Sequence, residues 1–412
     1  MSLQLPTHQA PAAASQALRW TRWMQPAAIA MALTVLAGCG GGGGVDTAPI
    51  ATASQVARYT EGTLNGFGSI IVNGVRFDES MATISDDSGA LRSASALKLG
   101  MRLAVDSGAV DASGAARASK VRFGSGIKGP VGAVNAGAST LVVLGQTVDV
   151  TSSTIFDDSL ASGLAAVAVG AVVEVHGLPD TATGRLVATR IESAAGTSSY
   201  KLIGTVASLN TTAKTFGIGA ASISYAGAAS VPSSLANGLT LRVVLATTAV
   251  GGVWQATVLG DGSRSKPSDS TEMHLRGKIS AFTSASVFNV NGAQVDASGA
   301  SFPDGSAGLA VGTEVEVEGV VRNGVLVASK VEIENSHRGD DSRKLELRGV
   351  ISSIDTSAKT FVLRGVTVSY AGIVGYSKGS AANLVVGAKL RVTGGVGSTR
   401  SQLLATAIRF ED

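Results

Sequence analysis

Leu309-Ala310-Val311-Gly312-Thr313-Glu314-Val315-Glu316-Val317-Glu318-Gly319 is the stretch from which the fold can be read. Its second half alternates valine with glutamate, so Val315 and Val317 face one side of an extended strand and Glu314, Glu316 and Glu318 the other. A period of two marks a strand with one buried and one solvated face. Upstream, Gly277-Lys278-Ile279 opens a strand and Val287-Phe288-Asn289-Val290 forms a second. Asn291-Gly292 then tolerates the positive φ of a tight hairpin turn, and Ala293-Gln294-Val295-Asp296 returns. Downstream, Asn323-Gly324 turns the chain again and Leu326-Val327-Ala328-Ser329-Lys330-Val331 closes the unit.

The same order recurs five times. A Gly-x-(Leu, Val or Ile) opening stands at Gly62, Gly129, Gly204, Gly277 and Gly349, at intervals of 67 to 75 residues. That period is too long for a solenoid rung and suits a small self-contained domain. The strand quoted above has counterparts from Val169 to Gly177 and from Val386 to Gly394, a shorter one from Leu99 to Val105, and a worn one from Asn237 to Val243. Five short strands per unit predict an all-β chain of tandem OB-like barrels, because curling a small sheet onto itself removes most of its exposed edge. The opening glycines fit bends at barrel corners. Strand count alone leaves a two-sheet sandwich as the rival.

The expected organisation is a signal peptide at 1–38, a glycine-rich tether at 39–60, and β modules at 61–126, 127–198, 199–263, 275–335 and 347–412. Linkers are expected at 264–274 and 336–346, both polar, charged and poor in apolar residues, as flexible connectors are. The Gly-x-Val/Ile opening, the Val-Gly-x-x-Val-x-Val-x-Gly core and the Ala-x-x-Ile/Val ending resemble the domain-of-unknown-function 5666 family, which is often found in tandem in lipoproteins of proteobacteria. The resemblance runs from Glu61 to Asp412. It implies the fold and brings no activity with it.

The only cysteine, Cys39, ends Leu36-Ala37-Gly38-Cys39 and precedes five glycines, Gly40 to Gly44. Before it lie Arg19 and Arg22, no acid, and an uncharged run from Pro26 to Ala37 that suits a secretory signal and is too short to span a bilayer. Leu36-Ala37-Gly38-Cys39 resembles the lipobox of bacterial lipoproteins, which implies export, cleavage before Cys39 and acylation there, giving a lasting membrane anchor. Gly40 stands where an aspartate would mark inner-membrane retention, so the expectation is the outer membrane.

Losing a leader with two arginines takes the 33 bases to 31 against 30 acids, and these are dispersed. With aromatics at 4%, neither phosphate clamping nor base stacking is supported, so no nucleic-acid partner is expected. A single cysteine excludes intramolecular disulfides, leaving apolar burial, at 45% hydrophobic residues, to hold the chain together.

Residues that carry chemistry are sparse. His176, His274 and His337 lie in different units or linkers without metal-ligand spacing, so no metal set, cofactor or catalytic residue is expected. His176 falls where Glu318 and Thr393 sit in other copies and reads as part of a solvated face. Asp86-Asp87, Asp157-Asp158 and Asp340-Asp341 read as turn chemistry, and Arg338-Gly339-Asp340 as a chance match to an adhesion tripeptide. The expected function is a lipid-anchored envelope protein that binds or scaffolds, with envelope proteins as its partners. That reading predicts an apolar, exposed patch recurring on several units. The alternative is a metal-dependent or hydrolytic envelope enzyme, which requires Asp86, Asp87, Asp157 and Asp158 to converge on one concavity.

Overall fold

The computed structural model describes residues 58–411 apart from 181–182, 263–266, 268, 270, 291–292, 335–343, 373 and 398. Leu36 to Cys39, His337, the Arg338-Gly339-Asp340 tripeptide and Asp340-Asp341 lie outside the described residues. Strands and four short 3-10 turns make up the regular structure, all within one compact unit, Ala53–Asp412.

Five modules follow one another. The first holds β1 (Arg58–Phe67), β2 (Ile70–Val72), β3 (Val75–Asp78), β4 (Thr83–Asp86), β5 (Arg102–Ser107) and β6 (Ala115–Phe123). Module two holds β7 (Ile127–Asn135), β8 (Thr140–Val143), β9 (Gln146–Phe156), β10 (Val172–Asp180) and β11 (Arg185–Ser193). In module three, β12 (Tyr200–Thr205) and β13 (Ala207–Asn210) are two halves of the first strand, followed by β14 (Thr215–Ile218), β15 (Ala221–Ser224), β16 (Thr240–Leu245) and β17 (Trp254–Asp261). Module four has β18 (Glu272–Ser284), β19 (Val287–Val290), β20 (Ala293–Asp296), β21 (Glu314–Arg322) and β22 (Val325–Ile333). Module five has β23 (Leu345–Asp355), β24 (Thr360–Leu363), β25 (Val366–Ser369), β26 (Gly375–Ser377), β27 (Lys389–Val396) and β28 (Leu403–Phe410).

The strand order separates barrel from sandwich. In module two, β7, β8 and β9 form an antiparallel meander, β9 pairs with β11 in parallel, β11 pairs with β10, and β10 returns to β7. Every strand therefore has two neighbours, and the sheet closes on itself as a five-stranded Greek-key, OB-like barrel. Module four repeats the circuit through β18, β19, β20, β22 and β21. Modules one, three and five do the same with one strand broken in two.

Two glycines of the repeat explain its spacing. Gly100, Gly170, Gly238, Gly312 and Gly387 sit at φ between 84° and 92° in the tight turn entering the fourth barrel strand. In module four, Thr313 N–H donates to Ala310 C=O at 3.1 Å across that turn, and the other four modules make the same bond. Bond and positive φ match a type II turn, in which glycine suits the third position. Each turn glycine also donates its N–H to the apolar residue of the opening motif: Leu64, Val131, Val206, Ile279 and Ile351 accept at 2.8 to 2.9 Å. The two halves of the sequence signature thus meet at one end of every barrel. The glycine that ends the motif serves a bulge. A Cβ on Gly177, Gly319 or Gly394 would come within 2.0 to 2.5 Å of a carbonyl oxygen of the fifth strand. The register shifts at those residues in β10, β21 and β27.

The modules are not independent beads. β1 pairs in parallel with β18 of module four, from Arg58–Glu272 to Glu61–Leu275, and its far end pairs with β23 of module five. β7 pairs with β12, joining modules two and three. The apolar cores merge accordingly. One cluster holds the interiors of modules one and five, a second those of two and three, and the third, in module four, takes in Tyr59 and Ala104 of module one. Fully buried side chains such as Leu64, Phe77, Phe361 and Ile408 contribute about 1.5–3 kcal/mol each to that burial.

Candidate functional site

First-strand edges carry the contacts between modules, so the polar residues of those strands meet residues distant in sequence. In module five, Glu346 of β23 accepts from Arg391 at 2.7 Å and from Arg76 of module one at 2.8 Å, with Arg348 at 3.1 Å. Burial works to raise its pKa, but the bonds and charges of Arg76 and Arg391 prevail and hold it at about 2. In module three, the buried Lys201 of β12 donates to Asp87 of module one at 2.6 Å, with Arg242 at 3.6 Å from the same carboxylate and Glu174 of module two at 3.8 Å from the ammonium.

The acidic pairs do not converge. Asp86 and Asp87 border a cleft of about 470 Å³ where modules one and three meet, together with Arg102, Arg122, Ser125 and Arg242. Asp157 and Asp158 border a different cleft, of about 240 Å³, between modules one, two and five. Asp86 caps a turn, accepting from Ser88 N–H at 2.9 Å and Ala90 N–H at 3.1 Å, and pairs with Arg92 at 2.6 Å. Burial opposes its ionisation, yet the bonds from Ser88 and Arg92 hold its pKa at about 2. Asp157 accepts from Ser159 N–H at 2.9 Å and Ser193 N–H at 2.6 Å, closing the 3-10 turn from Asp158 to Leu160. Turn chemistry accounts for Asp86 and Asp157, and a link between modules accounts for Asp87.

One histidine lies otherwise than expected. His176 is not on a solvated face: it is buried, with Nδ1 at 3.1 Å from the Gly124 carbonyl and Nε2 at 4.0 Å from Glu192. Gly124 belongs to the segment that joins modules one and two, so this connection lies against the ring. His274, which has no metal-pair spacing in the sequence, sits on β18 directly opposite Glu318 of β21 and contacts Glu316 through Nε2. Donor atoms of His274, Glu316 and Glu318 lie within 4.8 Å of one another, a gathering of three metal-ligating residue types found once among the described residues. A groove of about 320 Å³ opens beside them, bordered by Arg58 and Thr60 of β1 and by Ser329. Sequence spacing hid this group because its members lie 42 and 44 residues apart. The available clue was the row Glu314, Glu316, Glu318 on one strand face, awaiting a cross-strand partner.

Apolar exposure recurs at one place. Val169, Val311 and Val386, beside the turn glycines of modules two, four and five, are 66%, 46% and 61% exposed. Each is a turn-tip valine rather than part of a broad patch, and scattered exposed apolar residues are ordinary on protein surfaces.

Residues 128–192, 276–332 and 348–409 match the family model described as "Domain of unknown function (DUF5666)", covering modules two, four and five. No curated protein sequence matches the chain. Among solved structures, the Drosophila chain titled "drosophila Unr CSD456" is similar at 14% identity over 52% of this chain and 98% of that one, with a TM-score of 0.14. That score adds nothing to a fold that rests on the strand order above. Three of the five barrel modules therefore match the DUF5666 family model.

Proposed function

We propose that this protein is a lipid-anchored component of the bacterial cell envelope, held in the outer membrane through Cys39, that acts as a non-enzymatic binding or scaffolding protein with envelope proteins as partners. The observation that carries the reading is the docking of five barrels through their first strands. Such docking favours a fixed array of protein faces over separately tumbling modules, and linked faces gain avidity even where each binds weakly. The lipobox-like Leu36-Ala37-Gly38-Cys39 and the glycine-rich tether support the anchor. The separation of Asp86-Asp87 from Asp157-Asp158 counts against the hydrolytic alternative.

Fractionation of cells expressing the full chain tests the anchor. The wild-type protein is expected in the outer-membrane fraction and the Cys39→Ser variant in the soluble fraction. Membrane association that persists in the variant refutes attachment at Cys39. For the scaffold, cross-linking in intact cells is expected to trap the same envelope proteins with the wild type and with a variant carrying Asp157→Asn and Asp158→Asn.

A further inference from the structure

We infer that His274, Glu316 and Glu318 form a binding site for a divalent transition-metal ion on the outer face of module four, with one imidazole nitrogen and two carboxylate oxygens as protein donors. The position three residues before each opening glycine, together with two alternate positions on the fourth strand, forms the same backbone triangle in every module. Module one places Tyr59, Ala104 and Asp106 there; module three, Lys201, Arg242 and Val244; module five, Glu346, Arg391 and Thr393. Module two places Gly126, Glu174 and His176 there. In modules three and five the triangle carries permanent cations, which pair with carboxylates of the same or a neighbouring module. Module four alone combines an imidazole with two carboxylates.

The charge balance of this face points the same way. On this face Arg276 pairs with Glu314 and Glu334, and Lys330 with Glu318 and Glu332. Lys278, across from Glu314 in the ladder, reaches to Asp180 of module two instead. Lys330 is 3.1 Å from Glu332 but 3.8 Å from Glu318, so its nearer partner lies away from the imidazole. A divalent ion between His274, Glu316 and Glu318 would place its charge where the two carboxylates and the imidazole converge.

The geometry is suited to it. His274 and Glu318 are a directly opposed cross-strand pair, and Glu316 projects from the same face two residues away. Opposed positions hold Cβ atoms about 5 Å apart and diagonal ones about 7–8 Å apart, within reach of long side chains. A mixed nitrogen and oxygen donor set suits zinc and neighbouring transition metals rather than calcium or magnesium, which take oxygen ligands alone. The groove beside His274 and Glu318 leaves the remaining coordination positions to water.

The test uses the tag-free mature chain carrying Cys39→Ser, which removes the only thiol. Equilibrium dialysis against micromolar zinc is expected to leave one ion per chain, and cobalt in its place is expected to give visible d–d absorption. His274→Ala is expected to abolish both signals, and Glu318→Gln to weaken zinc at least tenfold, while His337→Ala changes neither. Thermal unfolding of the metal-free variants is expected to match the metal-free parent, which separates loss of ligand from loss of fold. The inference is overturned if the parent binds no stoichiometric zinc, or if binding survives His274→Ala. Both outcomes are independent of where the protein is anchored.

Discussion

Single residues set the local cost of this fold, and two glycines of module four separate its causes. At Gly312 a Cβ meets nothing within 4 Å but φ is 90°, so Gly312→Ala tests backbone strain alone. Its expected cost is about 1–2 kcal/mol. At Gly319 a Cβ would lie 2.2 Å from the Val327 carbonyl oxygen, so Gly319→Ala must push two paired strands apart. The expected loss is larger, about 3 kcal/mol, read as a shift in urea midpoint. Glu346 supplies a pH dependence. Its pKa is lowered from 4.5 to about 2, so its contribution is complete above the unfolded value and disappears as pH falls from 4.5 towards 2. At about 1.4 kcal/mol per pKa unit the upper bound is on the order of 3 kcal/mol. Glu346→Gln is therefore expected to lower stability at pH 7 and to flatten its decline across that window. Asp86 and Glu316, also held at about 2, leave a residual slope. An unchanged slope would show that Arg76 and Arg391 do not act through this carboxylate.

At the scale of the element, the first strand of each barrel is the docking device. β1 lies between β5 and β18 near its start and reaches β23 at its end, so edges that closure leaves open are paired with another module. Lys201 is buried and its partner Asp87 half-buried, and removing one partner of such a pair is costlier than replacing both. Asp87→Ala removes the nearer carboxylate of Lys201 and the one facing Arg242, leaving Glu174 at 3.8 Å, and is expected to cost about 3 kcal/mol. Asp87→Leu combined with Lys201→Met is expected to recover most of that loss. Denaturant titration of the single and double variants measures the difference; equal losses would mean that Asp87 acts by packing rather than charge.

For the whole molecule, three apolar clusters across five barrels imply that modules unfold together. Calorimetry is expected to resolve no more than three transitions. Deleting residues 345–412 removes half of the cluster shared by modules one and five, and uncovers Phe67 and Leu99 of module one. Hydrogen exchange in β1 to β6 is expected to accelerate as a result, while β14 and β15 of module three keep their protection. Unaltered exchange in module one would mean that each barrel is stable alone.

Much of this was legible in the chain. Alternation in Glu314 to Glu318, the spaced glycines and the hairpin signals determine strands, turns and module count, because these depend on the preferences of neighbouring residues. The barrel circuit was within reach for the same reason: the strands are too short and too many to leave edges open. The burial of His176, the seat of Asp87 on Lys201, and the meeting of His274 with Glu316 and Glu318 were not legible. They depend on where a connecting segment passes and on which strands and modules lie side by side, and periodicity carries no record of either. Local propensity and pattern thus determined the module. Only the tertiary structure decided the neighbours, because pairing between first strands joins residues up to about two hundred and eighty positions apart, whose contact is set by shape and charge rather than by spacing.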